Sequence, residues 1–520
     1  MTHGAGGDEE EATIAAGLWP LVEWRASATP DGEALVDRAG RRVTFTGLRD
    51  GALSMAAGLA DLGVADGDTV AWELPTGIEA VELAVALHRL GVVQIPIIPL
   101  YRDREVLHCC RETGARWLVT TDEFRGYDFA AMGTRVADEL EIEHLVVAPA
   151  SIPSAAAPPP PSTARIADPR WVFYTSGTTA LPKGARHDDR ALAWVGAALA
   201  EAMHVEEGDR YALVFPFAHI GGIILLHSGL HAGFAQLLDE AFDPATTPQF
   251  LAREGVTHAG TGTPFHLAYL AAQRADPGRR LFPKLKCCPG GAAPKPPTLH
   301  EQVKRELGGV GIISSWGLTE APILTCSGFD DPDDKLATTE GRPLPGVELR
   351  VVTTDGSLAP VGIEGELQAK ALQVTTGFVD PSQDAAAFAD GWLRTGDLGV
   401  IDDEGFVRIT GRLKDVIIRN GENISAKEVE DLLFTHPKVA DAAVVGVPDD
   451  RTGERVCAIV ETEPGVEPLA FVEMTEYLRE RGLRSQAVPE RLEFIDALPR
   501  NPAGKITKQV LRDRLLASGA

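Results

Sequence analysis

One segment, Tyr174-Thr175-Ser176-Gly177-Thr178-Thr179-Ala180-Leu181-Pro182-Lys183-Gly184, limits what this chain can fold into. It follows the apolar run Trp171-Val172-Phe173, which reads as a buried strand. Glycine lets the backbone approach a polyanion, hydroxyls and amides supply neutral donors, and a lysine adds positive charge. That is the make-up of a loop that grips phosphate. It is not a Walker A loop, because Pro182 stands where that pattern requires a second glycine. Taken alone, such a cluster also reads as a surface turn.

It does not stand alone. Downstream, in order, come Pro216-Phe217-Ala218-His219, Gly290-Gly291-Ala292-Ala293-Pro294, Trp316-Gly317-Leu318-Thr319-Glu320, Thr395-Gly396-Asp397, Gly411-Arg412-Leu413-Lys414-Asp415 and Pro499-Arg500-Asn501-Pro502-Ala503-Gly504-Lys505. In this order and at these separations they resemble the core motifs of the acyl-adenylating superfamily of acyl-CoA synthetases, firefly-type luciferases and peptide-synthetase adenylation domains. The resemblance runs from about Leu35 to Leu515.

Bulk properties narrow the setting. The net charge of -26, from 49 basic and 75 acidic residues, argues against a nucleic-acid partner and against adhesion to anionic membrane. The apolar stretch from Ala80 to Leu100 is interrupted by Glu82, His88, Arg89, Pro96 and Pro99, so no integral membrane segment is expected. Cys109-Cys110, Cys287-Cys288, Cys326 and Cys457 lack metal or redox spacing and read as small buried hydrophobes in a reducing cytoplasm. The acidic start, Asp8 to Glu11, lacks the pattern of a signal peptide. A cytoplasmic monomer or homodimer is expected.

Between Thr44 and Pro99, short apolar runs at 69–72 and 92–95 alternate with helical patterns at 53–62 and 77–90. Such alternation implies parallel crossover units and an α/β fold. Residues 151–164, with Pro158 to Pro161 in a row, read as a stiff surface linker and not a packed element. After Gly411 the texture changes. A strand at 416–419 meets the hairpin dipeptide Asn420-Gly421, and Ser425 to Glu428 spells a capping box for a helix ending near His436. Strands at 442–447, 455–460 and 491–495 and helices at 470–481 and 508–516 complete a small α+β unit. The expected division is a large N-terminal domain of layered α/β sheets, 1–413, and a small mobile C-terminal domain, 414–520, with the hinge near Lys414.

The resemblance implies an enzyme that activates a carboxylic acid with ATP as an acyl-AMP and passes the acyl group to coenzyme A, an AMP-forming acid-thiol ligase. Thr175, Ser176, Gly177, Thr178, Thr179 and Lys183 would hold the β- and γ-phosphates, Thr319 the α-phosphate and Glu320 a magnesium ion, which prefers hard carboxylate oxygen. Asp397, with two carboxylate oxygens, suits the ribose hydroxyls, and Arg412 reinforces that end. Trp316 stands where the family more often has tyrosine; it keeps the stacking on adenine beside Gly291-Ala292 but lacks the hydroxyl and its hydrogen bond. Lys505 bridges carboxylate and phosphate during adenylation, His219 flanks the carboxylate channel, and Gly421 lines the thiol's approach after rotation about Lys414. Asp189 and Lys370-Ala371 depart from the pattern and read as peripheral.

Ile220-Gly221-Gly222-Ile223-Ile224 carries no aspartate to hold an amine, which favours a non-amino acid. The run from Asn420 to Glu428 resembles bacterial acyl-CoA ligases for alicyclic and medium-chain acids. A stand-alone ligase passing the acyl group to an amine would share every adenylation residue. A non-catalytic binding relative is disfavoured by the presence of Glu320 and Lys505.

Overall fold

In a computed structural model, residues 17–159, 161–162, 166–175, 181–291, 295–420, 422–449, 451–500 and 505–517 are described. The α/β expectation holds. One sheet runs in the order Lys183–His187, Trp171–Thr175, Val93–Pro96, Thr69–Glu73, Trp117–Thr120, Glu143–Val146, parallel throughout except for its first strand. A second pairs Arg210–Leu213, Ala235–Leu238 and Glu33–Asp37 in parallel, with Arg42–Thr44 antiparallel at the edge. Two helices packed in the same core, Ile78–Leu90 and Ile220–Ala232, are apolar nearly all round and buried. Gly77 and Gly91 bound the first of them, Gly91 in the left-handed region at φ 80°.

Two further sheets complete the large domain. Cys288–Gly290, Ile312–Leu318, Ala321–Cys326 and Arg342–Pro343 form one. The other is an antiparallel sheet of Glu348–Val352, Gly365–Lys370, Trp392–Ile401 and Phe388–Ala389, with Val407–Arg412 paired to Trp392–Ile401. The small domain is a twisted sheet of Glu422–Ser425, Val416–Arg419, Gly453–Thr462, Val439–Asp449 and Arg491–Phe494, covered by Ala426–Leu433, Phe471–Glu480 and Lys508–Ala517. Arg419 pairs with Glu422 across a two-residue connection whose first member, Asn420, has φ 52°, as a hairpin turn requires. Among the described residues, no helix is long and apolar enough to cross a membrane.

Several expectations shift. The helix placed at 53–62 begins at Phe45, because the Thr44 hydroxyl accepts the Gly47 amide at 3.0 Å and starts it two turns early; Gly47, Asp50 and Gly51 had blurred the periodicity. The helix expected to reach His436 stops at Leu433. Its capping box is half formed: Ser425 Oγ accepts the Glu428 amide at 3.3 Å, but the Glu428 carboxylate faces Arg484 at 3.9 Å. Among its described residues the proline-rich linker contains no regular element and none is buried, as expected of a surface segment, but it is anchored to the domain at points. The Ala155 amide donates to the Ser54 carbonyl at 3.1 Å, and a Cβ at Gly58 would lie 2.3 Å from the Ser154 nitrogen. All six cysteines are free and buried, as expected.

Asp189 is not peripheral to the fold. It is buried in the large domain, where Trp171 Nε1 donates to its Oδ1 at 2.7 Å and His88 Nε2 lies 2.7 Å from its Oδ2. Burial opposes ionisation, but these partners outweigh it and hold the carboxyl at about 2. Three elements are tied together by one carboxylate. Lys370 by contrast lies 4.7 Å over the Trp392 ring, outside the cleft described below. Replacing Asp189→Ala strands a buried imidazole and an indole N–H, so thermal unfolding should show a loss of about 3–5 kcal/mol. Asp189→Asn, which keeps one acceptor, should lose less.

Candidate active site

The strands Trp171–Thr175 and Lys183–His187 pair antiparallel with Thr175 opposite Lys183, so the gripping loop closes a hairpin. A Walker A loop runs from a strand into a helix N-terminus, and here the chain enters a second strand instead. Thr175 and Lys183 line a cleft of about 650 Å³ between the large and small domains. Ser176, Gly177, Thr178 and Thr179 lie outside the described residues, as do Ala292 and Gly421.

Leu318 pairs with Ala321, which leaves Thr319 and Glu320 as a two-residue turn at the cleft. The turn is pinned from two sides. His187 Nε2 donates to the Thr319 carbonyl at 2.8 Å, and the Thr375 amide donates to the Glu320 carbonyl at 2.7 Å. Burial holds His187 at about 4, so its ring is neutral and the proton sits on Nε2. Burial also raises the Glu320 carboxyl, against the fields of Arg412 and Lys183. No cluster of three or more His, Cys, Asp or Glu suited to a metal occurs among the described residues. Glu320, a carboxylate beside the cations Lys183 and Arg412, fits magnesium, which takes one or two carboxylates and completes its shell with phosphate and water.

Asp397 and Arg412 face each other across paired strands, and Arg412 Nε lies 2.8 Å from Asp397 Oδ1. The other oxygen is also engaged: Trp316 Nε1 donates to Asp397 Oδ2 at 2.8 Å. Neither oxygen stands open as expected, although each keeps a lone pair for a further donor. Where a tyrosine would carry a hydroxyl, the indole makes a hydrogen bond of its own, toward a carboxylate. Gly291 lies so close to Ser315 that a Cβ would sit 3.1 Å from the Ser315 carbonyl oxygen.

Lys505 comes from the small domain and is half-buried in the same cluster. Burial lowers its ammonium to about 8; Arg412 and Lys414 push the same way, while Asp397 and Glu320 oppose them. His219 caps the helix Ile220–Ala232, its Nδ1 accepting the Gly221 amide at 3.1 Å. Burial and the nearby Lys505 hold it at about 4, which makes it a neutral imidazole with its proton on Nε2. Lys414 sits in the single turn Leu413–Asp415, where burial lowers its ammonium, and Asp415 pairs with Arg512 at 3.0 Å. Asn420 and its hairpin strands from Ile417 to Ile424 do not line the cleft, whereas Ser425, Lys427 and Asp431 do.

Lining residues without a recognisable motif went unforeseen. Lys295, lowered to about 8 by burial, donates to the carbonyls of Leu336 and Thr339. Glu340 is raised by burial and accepts the Ile409 amide at 2.9 Å. In the sequence neither differs from a solvated surface charge.

The family of AMP-binding enzymes matches residues 22–379, and the AMP-binding enzyme C-terminal domain matches residues 428–505. Triostin synthetase I of Streptomyces triostinicus is 36% identical over 92% of this chain and 91% of its own length. The 3-[(3aS,4S,7aS)-7a-methyl-1,5-dioxo-octahydro-1H-inden-4-yl]propanoyl:CoA ligase of Rhodococcus jostii is 32% identical over 91% of this chain and 94% of its own. Among solved structures, the amide bond synthetase McbA of Marinactinospora thermotolerans superposes with a TM-score of 0.83 at 26% identity, over 95% of this chain and 100% of that one. A profile spanning most of the chain, with its C-terminal companion in the expected order, makes this chain an enzyme of the AMP-binding family.

Proposed function

We propose that the enzyme joins a carboxylic acid to AMP and then transfers the acyl group to coenzyme A. The observation that carries this reading is the meeting of Lys183, Glu320, Asp397, Arg412 and Lys505 at one cleft, with Lys505 contributed by the small domain. In the first step a carboxylate oxygen attacks the α-phosphorus of ATP and pyrophosphate departs. Two anions must meet, so cationic groups fixed before the reaction are the main aid the site offers. Lys505, a point charge, would bridge the carboxylate and α-phosphate oxygens, and Thr175 with Lys183 would hold the departing pyrophosphate. Magnesium held by Glu320 would neutralise phosphate charge. Asp397 would take the ribose hydroxyls and Trp316 the adenine face. His219, neutral, would flank the acid without adding charge.

In the second step a thiol attacks the acyl carbonyl, the thiol proton leaves and AMP departs. Asn420 and the described hairpin residues beside it do not line the cleft in this arrangement, which supports a rotation of 414–520 against 1–413 about Lys414 before the thiol enters. The apolar helix that follows His219 supports a non-amino acid of cyclic or medium-length apolar character. The likeness to an amide bond synthetase supports a second reading, in which an amine replaces the thiol.

Lys505→Ala should cut acyl-adenylate formation about 100-fold or more, while thioester formation from preformed adenylate survives. Equal losses in both half-reactions overturn the role. The ammonium is charged below its pKa of about 8, so adenylation at low ATP should fall as pH rises through that value, and Lys505→Arg should lose this limb. Gly421→Leu should keep acid-dependent pyrophosphate release and lose acyl-CoA production. If the unaltered enzyme makes no acyl-CoA from any acid but forms an amide when an amine is supplied, the second reading replaces the first.

A further inference from the structure

We infer that the Trp316 indole N–H positions the Asp397 carboxylate for the ribose of the nucleotide, a role separate from any contact made by the face of its ring. This rests on the proposed assignment of Asp397 to the ribose. The two donors that hold Asp397 are unequal. Arg412 Nε lies 2.8 Å from Oδ1, but the arginine side chain is 40% exposed against 4% for the aspartate. It also immediately precedes the turn Leu413–Asp415, where the hinge is proposed. A pair whose cation is this exposed is a weaker anchor than a buried one, and one beside a pivot moves with it.

The Trp316 anchor is of another kind. Nε1 donates to Oδ2 at 2.8 Å in a buried contact between strands of two different sheets of the large domain. Both partners stay fixed when the small domain turns. The Asp397 amide donates to Thr395 Oγ1 at 3.1 Å, and Thr395 Oγ1 donates to the Leu367 carbonyl at 2.6 Å, so the backbone beneath the carboxylate is fixed as well. With one lone pair of Oδ2 spoken for by a fixed N–H, the remaining acceptor direction of that oxygen is set before nucleotide arrives. A buried polar site preset in this way rejects a ligand lacking the matching hydroxyl more strongly than a loose one.

The readout is discrimination between ATP and 2′,3′-dideoxy-ATP, measured as a ratio of dissociation constants by calorimetric titration of the full chain. Trp316→Phe keeps an aromatic face and removes the donor. It should shrink the ratio about 5-fold or more, whatever affinity the smaller ring costs both nucleotides in common. Trp316→His places its Nε2 where the indole Nε1 was and should recover part of the ratio. Asp397→Asn should collapse the ratio, and Trp316→Phe added to it should cost nothing more, because the tryptophan acts through the aspartate. Phe and His variants that discriminate as well as the unaltered enzyme, with Asp397→Asn still collapsing the ratio, overturn the inference and leave the ribose assignment standing. An unchanged ratio in Asp397→Asn removes both. Should the Phe variant fail to fold, the His variant against the unaltered enzyme carries the same comparison: a ratio as low as that of Asp397→Asn overturns the inference.

Discussion

A half-buried ammonium set among other cations and two carboxylates is the constraint on which the cleft depends. Lys505 sits near Arg412 and Lys414, both of which disfavour its charge, while Asp397 and Glu320 favour it. Such a cluster is costly without an anion. Polyphosphate would relieve it, drawing the small domain onto the large one and increasing the field at the reacting phosphorus together. The carboxylates are as necessary as the cations, because without them the ammonium would give up its proton to the low-dielectric surroundings.

The scaffold meets this demand through rigid parts. Two apolar helices buried in the large domain leave few ways for the strands to shift, and the cleft residues hang from strand ends and two-residue turns. Thr319-Glu320 is held by donors from the strand Lys183–His187 and from Thr375, so the hairpin that places Lys183 also fixes the turn that carries Glu320. Cation and carboxylate thereby keep a common frame.

Much of this was legible in the sequence, for different reasons at different places. Thr175, Lys183, Thr319-Glu320, Asp397 and Lys505 could be picked out in the sequence as motif residues, and the fold brings them to one cleft. The small domain was readable element by element because its strands are short, apolar and bounded by turns. The start of the helix Phe45–Asp61 was hidden by two glycines in its first turns, and one cap hydroxyl outweighed them. The partners of Asp189 could not be found, since His88, Trp171 and Asp189 meet only through tertiary packing. For the same reason the departure of Trp316 looked like a loss, whereas the fold turns its N–H toward a carboxylate 81 residues away. Lys295 and Glu340 carry no signal before burial gives them one.

Ser425 does two jobs with one oxygen. Its hydroxyl accepts the Glu428 amide as a helix cap and donates to the Thr410 carbonyl of the large domain at 2.8 Å. Acceptance and donation use different parts of the group, so undocking severs the second bond and spares the first. Under the proposed rotation the helix Ala426–Leu433 therefore need not fray, because its cap stays within the small domain. At this contact the bond given up is remade with water, a net change of about 0.5–1.5 kcal/mol. A single bond that weak opens by thermal motion, so this contact does not by itself hold the two units together.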